Sequence, residues 1–205
     1  MSSETIPPPP AAPAPEANVA SKATVQEYLA LERSSDARHE YIDGDILAMA
    51  GGTPMHNRIA RNICVALENA FGTRQCESFI ENMRTRVTKT QYRYPDIAAL
   101  CGEAQFDQEN PPSLLNPSVI VEVLSPSTEG LDRDEKFMEY RLVESVTDYV
   151  LFSQDRIEIT HYSRQSARQW LVTIYGELSD VLSFPSLEVS LTVADVYRKT
   201  ALSAA

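Results

Sequence analysis

The pattern of apolar and polar positions is clearest in two short runs near the middle of the chain. Residues Val119 to Leu124 are apolar at every position except Glu122, which is typical of a strand buried on both faces. An earlier run, residues 94–100, is also mostly apolar and carries one acid, Asp96, near its start. A buried carboxylate is unfavourable unless a cation, a proton or hydrogen bonds compensate it. We therefore expect these two strands to lie side by side and to bring their acids together.

The segment after the Glu122 strand predicts a helix. Ser127 is a suitable N-cap residue. Asp132, Lys136 and Tyr140 recur every four residues, so they share one helix face. This spacing predicts that Lys136 points towards the acids. The alternative is an ordinary ion pair between Asp132 and Lys136 on a solvated face.

The N-terminal part of the domain predicts a helix and then a hairpin. Thr24 and Glu27 have the spacing of a capping box, so the first helix should start at Thr24. Asp43-Gly44 lies between two strand-like runs, which indicates a tight hairpin turn. Glu40 lies shortly before this turn, either as a solvated strand residue or as a third acid of a site.

A second helix is predicted to begin with Thr53 as its N-cap and Pro54 as its first residue. Its buried apolar face is predicted to consist of Ile59, Ile63, Leu67 and Ala70. His56 lies in the first turn, on the side of Ile59 and Ile63. It is either a core or capping histidine, or a residue that contacts substrate phosphate or orients an acid.

Two further strands are predicted at residues 74–81 and 83–89. In the second strand, Arg84 and Arg86 alternate with apolar positions, and Lys89 and Arg93 extend the basic series. These side chains either cover a solvated sheet face or contact nucleic-acid phosphates. An edge strand here could also pair with a second copy of the chain, giving a homodimer.

The C-terminal part predicts a hairpin of residues 148–153 and 156–161, a strand at residues 170–175 and a short helix opened by Thr192. The fold class is therefore α/β (α+β), with a curved mixed central sheet flanked by helices. We expect one domain.

The domain is expected to span residues 22–200, after a disordered Pro/Ala-rich tail at 1–21 and before a short tail at 201–205.

Composition adds three expectations. The chain has 205 residues and a net charge of −11, which opposes avid non-specific binding to DNA. Its three cysteines show no metal-binding spacing, so we expect them to be reduced in a cytoplasmic protein. No long apolar run is present, so no membrane segment is expected.

Two adjacent carboxylates repel unless a divalent cation takes both, and magnesium prefers such oxygen ligands. The chain resembles the Uma family of putative restriction endonucleases, which belongs to the PD-(D/E)xK nuclease-like superfamily. The resemblance is carried by three segments in order: Pro95-Asp96, Glu122-Val123-Leu124, and the helix from Asp132 through Lys136 to Tyr140. Further matching segments are Thr24–Leu29, Glu40–Gly44, Pro54–Asn57 and Leu191–Tyr197. The resemblance covers roughly residues 22–200.

The resemblance implies a restriction-endonuclease-like core and hydrolysis of DNA phosphodiester bonds with Mg²⁺ or Mn²⁺. The catalytic residues it implies are Glu40, Asp96, Glu122 and Lys136, with Asp96 and Glu122 as the metal ligands. Supporting or substrate-contacting roles fall to His56, Asp132, Arg84 and Arg86. One departure is that the superfamily's usual lysine position holds Leu124, and Lys136 on the next helix takes its place.

Two other functions remain open at this point. One is a catalytically silent nuclease-like module that binds protein or nucleic acid, which the acidic charge and the displaced lysine favour. The other is a metal-dependent hydrolase of a small phosphate compound. Binding of a divalent metal distinguishes the silent module from both enzymes.

Overall fold

The structure, a computed structural model, describes residues 22–49, 51–125, 130 and 132–204. The helices are α1 Val25–Ser34, α2 Pro54–Phe71, α3 Phe137–Tyr140 and α4 Val193–Val196. A π-helical turn, Asp132–Lys136, leads directly into α3, and a 3₁₀ turn, Ala201–Ala204, begins within the predicted C-terminal tail. The strands are β1 His39–Ile42, β2 Asp45–Ala48, β3 Cys76–Ile80, β4 Thr85–Arg86, β5 Gln91–Arg93, β6 Ile97–Cys101, β7 Val119–Leu124, β8 Asp148–Ser153, β9 Ile159–Ser166, β10 Gln169–Tyr175, β11 Val181–Phe184 and β12 Val189–Thr192.

The central sheet has six strands in the order β10-β9-β8-β7-β6-β3. The β7–β8 pair is parallel and the other pairs are antiparallel, so the sheet is mixed, as predicted. The expected curvature of the sheet stays a prediction. The predicted strand at 83–89 shortens to the two residues of β4, and the β11–β12 hairpin was not anticipated.

Both faces of the central sheet are covered, which explains why every residue of β7 is buried. On one face, Val121 and Val123 pack in the same core as Ile59 and Ile63 of α2. On the other face, Ile120 and Leu124 pack in the core that contains Tyr140 of α3. Because strand side chains alternate, Glu122 lies on the α3 side of the sheet.

The N-terminal predictions are confirmed by hydrogen bonds. Thr24 caps α1, and both bonds of the capping box with Glu27 are present. The turn between β1 and β2 has positive φ angles at Asp43 and Gly44, which favours this residue pair. Thr53 caps α2, although Ala70 is exposed and is not part of the buried face. The predicted cap at Ser127 lies outside the described residues.

A second sheet of four strands, in the order β2-β1-β5-β4, holds Glu40. It packs against α1 through three tyrosines, Tyr28, Tyr41 and Tyr92, whose rings contact one another. This small sheet therefore has its own aromatic core.

The prediction of a solvent-facing basic strip is wrong for two of its arginines. Arg84 is 1% exposed, with its guanidinium stacked on the rings of Tyr28 and Tyr92 and its Nε donating to Ser113 at 2.8 Å. Arg93 is fully buried and ion-paired. The alternating pattern of residues 83–89 correctly predicted that Arg84 and Thr85 point to opposite sides of the strand, but other parts of the protein cover both sides. Neither arginine can therefore contact a phosphate in this fold.

The strand edge predicted to pair with a second copy of the chain is already occupied at β4. Leu114 forms a parallel bridge with Thr85 on the side of β4 away from β5, with backbone bonds to Arg84 and Arg86. A homodimer stays a prediction, but this strand does not offer an open edge there. Among the described residues, no helix combines the length and apolar character needed to cross a membrane.

The expectation of three reduced cysteines is wrong. Cys76 of β3 lies directly opposite Cys101 of β6, and the two form a disulfide. Cys64 is half-buried and free. The pairing follows from strand register, because positions 25 residues apart become cross-strand neighbours.

Replacing both Cys76 and Cys101 by serine should lower the free energy of unfolding by about 3 kcal/mol, because the closed loop restricts the unfolded chain. Urea unfolding followed by circular dichroism measures this difference. A reducing agent should remove the difference in unfolding free energy between wild type and the double variant, because it lowers the stability of the wild type alone. Cys64→Ser is the matched control, and an equal effect of reductant on wild type and the double variant would contradict the cross-link.

Candidate active site

The two acids predicted from the strand pattern come together at one end of the central sheet. Ile97 of β6 pairs with Val121 of β7, and continuing this antiparallel register places Asp96 opposite Glu122. Asp96 Oδ2 accepts a hydrogen bond from the backbone N–H of Val123 at 2.6 Å, which fixes the carboxylate beside β7. Glu122 is only 4% exposed.

Lys136 reaches these acids from the π-helical turn, as predicted. Its Nζ lies 3.0 Å from Glu122 Oε1 and 2.9 Å from Asp132 Oδ1, and the side chain is buried. The hydroxyl of Tyr149 on β8 donates to the carbonyl of Asp132 at 2.8 Å and so holds the turn against the sheet. The alternative interpretation, in which Asp132 and Lys136 form an ion pair on a solvent-exposed helix face, is therefore wrong.

Glu40 enters the site from the small sheet and is held by Arg93. Arg93 Nη1 donates to Glu40 Oε2 at 2.6 Å, and the N–H of Tyr94 donates to Glu40 Oε1 at 3.3 Å. The other edge of the same guanidinium forms two hydrogen bonds with Glu139 of α3, at 2.7 and 2.8 Å. Arg93 thus connects the acid of β1 to the helix that follows Lys136.

His56 orients Asp96. Its Nε2 lies 3.0 Å from Asp96 Oδ2, and this hydrogen bond raises the pKa of the imidazole against the opposing effect of burial. A Cβ at Gly52 would lie 2.9 Å from His56 Nδ1, so the absence of a side chain at this position leaves room for the ring. Of the two roles considered for His56, orientation of an acid is the one that the geometry provides.

Gln154 is a site residue that sequence reasoning missed. Its Nε2 donates to the carbonyl of Leu124 at 2.7 Å, and its Oε1 accepts a hydrogen bond from Thr53 Oγ1 at 2.5 Å. The side chain therefore ties the start of α2 to the end of β7. The only sequence signal was its place directly after a buried strand, in a segment assigned to a simple turn.

A cavity of about 470 Å³ opens over these side chains. Its polar lining consists of Glu40, Thr53, His56, Tyr94, Asp96, Glu122, Ser125, Asp132, Lys136 and Gln154. The structure thus brings together all of the predicted site residues except Arg84 and Arg86. Arg84 is buried elsewhere, and Arg86 lies 3.6 Å from Asp107.

The cavity holds more negative than positive groups. Burial raises the pKa of Glu122 well above its ordinary value; Lys136 opposes this shift, whereas Asp96, Asp132 and Glu40 add to it. Burial disfavours the charged form of Lys136, but the carboxylates of Glu122, Glu40 and Asp132 outweigh it and raise the lysine pKa. Four carboxylates of the cavity thus face the ammonium of Lys136 and the Arg93 guanidinium, which also pairs with Glu139, so negative groups stay in excess and the site favours a further cation.

The donor set fits a hard divalent cation. No described residue donates a hydrogen bond to Asp96 Oδ1 or to Glu122 Oε2, so each carboxylate has an oxygen left for a ligand. The described residues contain no cluster of three or more His, Cys, Asp or Glu arranged to hold a metal. Mg²⁺ is commonly bound through one or two carboxylates together with waters, so two acids are sufficient.

Comparison with known proteins agrees with the resemblance drawn from the motifs. The Uma2 family, described as "Putative restriction endonuclease", matches residues 25–194. Two proteins of Synechocystis sp. are similar over most of their length. The uncharacterized protein sll1609 is 35% identical over 160 residues, covering 77% of this chain and 90% of its own. The uncharacterized protein slr1290 is 34% identical over 178 residues, covering 86% and 92%.

A solved structure shares the fold. The crystal structure of a putative nuclease belonging to DUF820, from Anabaena variabilis, matches with a TM-score of 0.65 and 17% sequence identity. The match covers 80% of this chain and 91% of that one. The architecture described above, with a mixed sheet and flanking helices, is therefore that of a known fold.

Glu122→Gln should remove a pH-dependent loss of stability. The folded state raises the pKa of Glu122 above the ordinary 4.5, so its stabilising contribution is complete below that pH and is lost as the pH rises through the folded pKa. Glutamine stays neutral. In EDTA, the free energy of urea unfolding of the variant relative to wild type should therefore rise between about pH 4 and pH 8, because only wild type loses this contribution.

Glu135→Gln is the control for this comparison, because Glu135 is an exposed acid in the same turn. It should follow the wild-type pH dependence. A Glu122→Gln variant with the same pH dependence as wild type would show that Glu122 does not resist ionisation in the folded state.

Proposed function

The chain belongs to the Uma2 family, described as "Putative restriction endonuclease", and from this we propose that it is a metal-dependent nuclease that hydrolyses phosphodiester bonds of DNA. The observation that carries the proposal is the meeting of Asp96, Glu122 and Lys136 at one cavity. Two carboxylates with unoccupied oxygens and one buried ammonium are the groups that this chemistry needs.

Asp96 and Glu122 would hold the metal, Mg²⁺ or Mn²⁺. A metal bound there lowers the pKa of a coordinated water and offsets charge that develops on the phosphate. His56 keeps the Asp96 carboxylate in one orientation through its hydrogen bond, and the N–H of Val123 does the same from the strand. Both contacts reduce the movement that metal binding would otherwise require.

Lys136 would stabilise the phosphate oxygens. The superfamily's usual lysine position holds Leu124, whose side chain cannot polarise a phosphate. The ammonium of Lys136 reaches the same end of β7 from the π-helical turn and lies 3.0 Å from Glu122. A fixed cation in a water-poor cavity is more effective than one in bulk water, since it needs no reorganisation during the reaction.

Glu40 would accept the proton of the attacking water or contribute to a second metal position. Arg93 and the N–H of Tyr94 hold its carboxylate at the rim of the cavity. A base must be held within hydrogen-bond reach of the proton it removes, and Glu40 is the acid that approaches from the small sheet rather than from β6 or β7.

A catalytically silent binding module is the second candidate. The net charge of −11 and the burial of Arg84 and Arg93 favour it, because both weaken the attraction for DNA. A hydrolase of a small phosphate compound would use the same residues in the same cavity. The experiments below separate these functions.

Divalent metal should stabilise the wild type and leave Asp96→Asn unaffected. A ligand that binds only the folded state raises the melting temperature, and the variant lacks one of the two ligands. Thermal melts with 10-fold steps of Mg²⁺ or Mn²⁺ measure the rise, and Glu135→Gln should respond as wild type does. An equal rise for wild type and Asp96→Asn would remove Asp96 from the metal site.

Lys136→Met should leave the metal-dependent melting shift largely intact and slow DNA cleavage by a factor on the order of 100. The substitution keeps an apolar stem and removes the charge. The measurement is the cleavage rate of single- and double-stranded DNA at saturating Mg²⁺. Lys89→Met, at an exposed lysine in the turn between β4 and β5, is the control.

An undiminished rate in Lys136→Met would refute the role of the lysine. Metal binding by a wild type that cleaves no DNA would favour the small-phosphate hydrolase. The absence of both metal binding and cleavage would favour the silent module.

A further inference from the structure

A groove next to the candidate active site is lined by basic side chains. It has a volume of about 380 Å³ and lies along the first turns of α2. Its lining is Gly52, Thr53, Pro54, Asn57, Arg58 and Arg61. Gly52 and Thr53 also line the larger cavity, so the two depressions are neighbours that share part of their lining.

The groove lies close to the acids. His56, which contacts Asp96, precedes Arg61 by five positions on α2, or about 7.5 Å along the helix axis at ~1.5 Å per residue. This distance corresponds to about two nucleotide steps at ~3.4 Å per step along one strand. A strand with a phosphate over Asp96 would therefore have its neighbouring phosphates within reach of α2.

The C-terminal segment brings two more cations close to α2, where Arg198 lines a separate depression together with Asn62. Arg58 Nη1 donates to the carbonyl of Lys199, and Asn62 Nδ2 donates to the carbonyl of Arg198 at 2.8 Å. These bonds hold the backbone of the segment against the helix. We call the exposed side chains Arg58, Arg61, Arg198 and Lys199 the α2 basic face.

The positive charge of this face is not neutralised by described carboxylates, since none of its four side chains forms an ion pair with one. Other basic residues are engaged: Arg93 with Glu40 and Glu139, and Arg86 with Asp107. In a chain with 18 Lys and Arg and a net charge of −11, four exposed cations on and beside α2, two of which line the groove next to the cavity, form a distinct feature.

Two acids near this face moderate its potential. Glu81 Oε1 lies 3.5 Å from Asn57 Nδ2, and its charge also acts on His56. Asp195 belongs to the C-terminal segment, where its carboxylate accepts a hydrogen bond from the Thr192 hydroxyl at 2.6 Å. We therefore expect binding to this face to be weak and sensitive to salt.

We propose that the α2 basic face binds the phosphate backbone of the nucleic acid whose scissile bond enters the cavity. This inference rests on the proposed nuclease function and assigns the substrate contacts that the buried Arg84 cannot make. Guanidinium groups suit phosphate oxygens because their N–H donors form paired, charge-assisted hydrogen bonds. Contacts of this kind position the duplex and carry no sequence preference of their own.

The test compares wild type with the Arg58→Gln/Arg61→Gln double variant in EDTA, where no metal supports cleavage. Binding of a fluorescein-labelled 20-base-pair DNA is measured between about 50 and 200 mM salt. Each phosphate contact contributes about 0.9 to the slope of log affinity against log salt, so the double variant should lose about 2 from the slope. Its affinity at the lowest salt should fall on the order of tenfold.

Arg168→Gln is the charge-matched control for the single variant Arg61→Gln, because it also removes one positive charge, from an exposed arginine between β9 and β10. Strand register places that turn beyond the Val119 end of β7, away from Glu122. The single variant Arg61→Gln tests for misfolding, since the Arg61 side chain makes no hydrogen bond or ion pair with the described residues. It should lose about 1 from the slope with an unchanged melting temperature.

Cleavage at saturating Mg²⁺ separates this inference from the proposed function. A wild type that cleaves DNA, with the double variant showing a raised KM and a similar kcat, supports both. A wild type that cleaves while the double variant binds and cleaves like Arg168→Gln overturns the basic face alone. A wild type that does not bind the 20-base-pair DNA in EDTA also overturns it, whatever the metal titration shows for Asp96.

Discussion

The burial of Glu40, Glu122 and Asp132 around the ammonium of Lys136, with Asp96 partly exposed beside Glu122, is the constraint on which the rest of this structure depends. Glu122 lies inside a strand covered on both faces, so its charge cannot be relieved by solvent. Lys136 compensates part of it and also pairs with Asp132. The packing of β7 in the cores on both faces of the central sheet and the Tyr149–Asp132 hydrogen bond hold these groups in place despite the remaining negative charge.

That support comes from two sides. Phe137, at the start of α3, packs on the rings of Tyr149, Tyr162 and Trp170, which anchors the helix to the central sheet. Arg93 then joins Glu139 of this helix to Glu40 of the small sheet. Removing one partner from such a buried cluster typically costs about 3–5 kcal/mol, because the remaining charges are left uncompensated. The small sheet therefore contributes Glu40 to the cavity and, through the ion pairs of Arg93, also stabilises the position of α3.

Local rules predicted much of this chain because they act over a few residues. The capping box at Thr24, the turn at Asp43-Gly44 and the two acids in apolar strands were all visible without knowledge of the fold. What failed depended on distant contacts. The Cys76–Cys101 pair requires the register of two strands, and the burial of Arg84 requires a loop, Pro111–Ser113, that folds back over it. Gln154 bonds to residues of two other elements, and no spacing rule could have linked them.

The loop that connects the two acid-bearing strands is a place where the sequence and length of this protein can change during evolution without disturbing the cavity. Asp96 stands at the start of β6 and Glu122 near the end of β7, so the loop that joins the strands, residues 102–118, leaves the sheet at the opposite end from the cavity. Its tip at residues 108–110 is exposed, and lengthening a surface loop costs little free energy. Lineages can therefore add or lose residues at this tip, and even acquire an inserted module there, while the spacing of the two carboxylates stays under the control of the strand register.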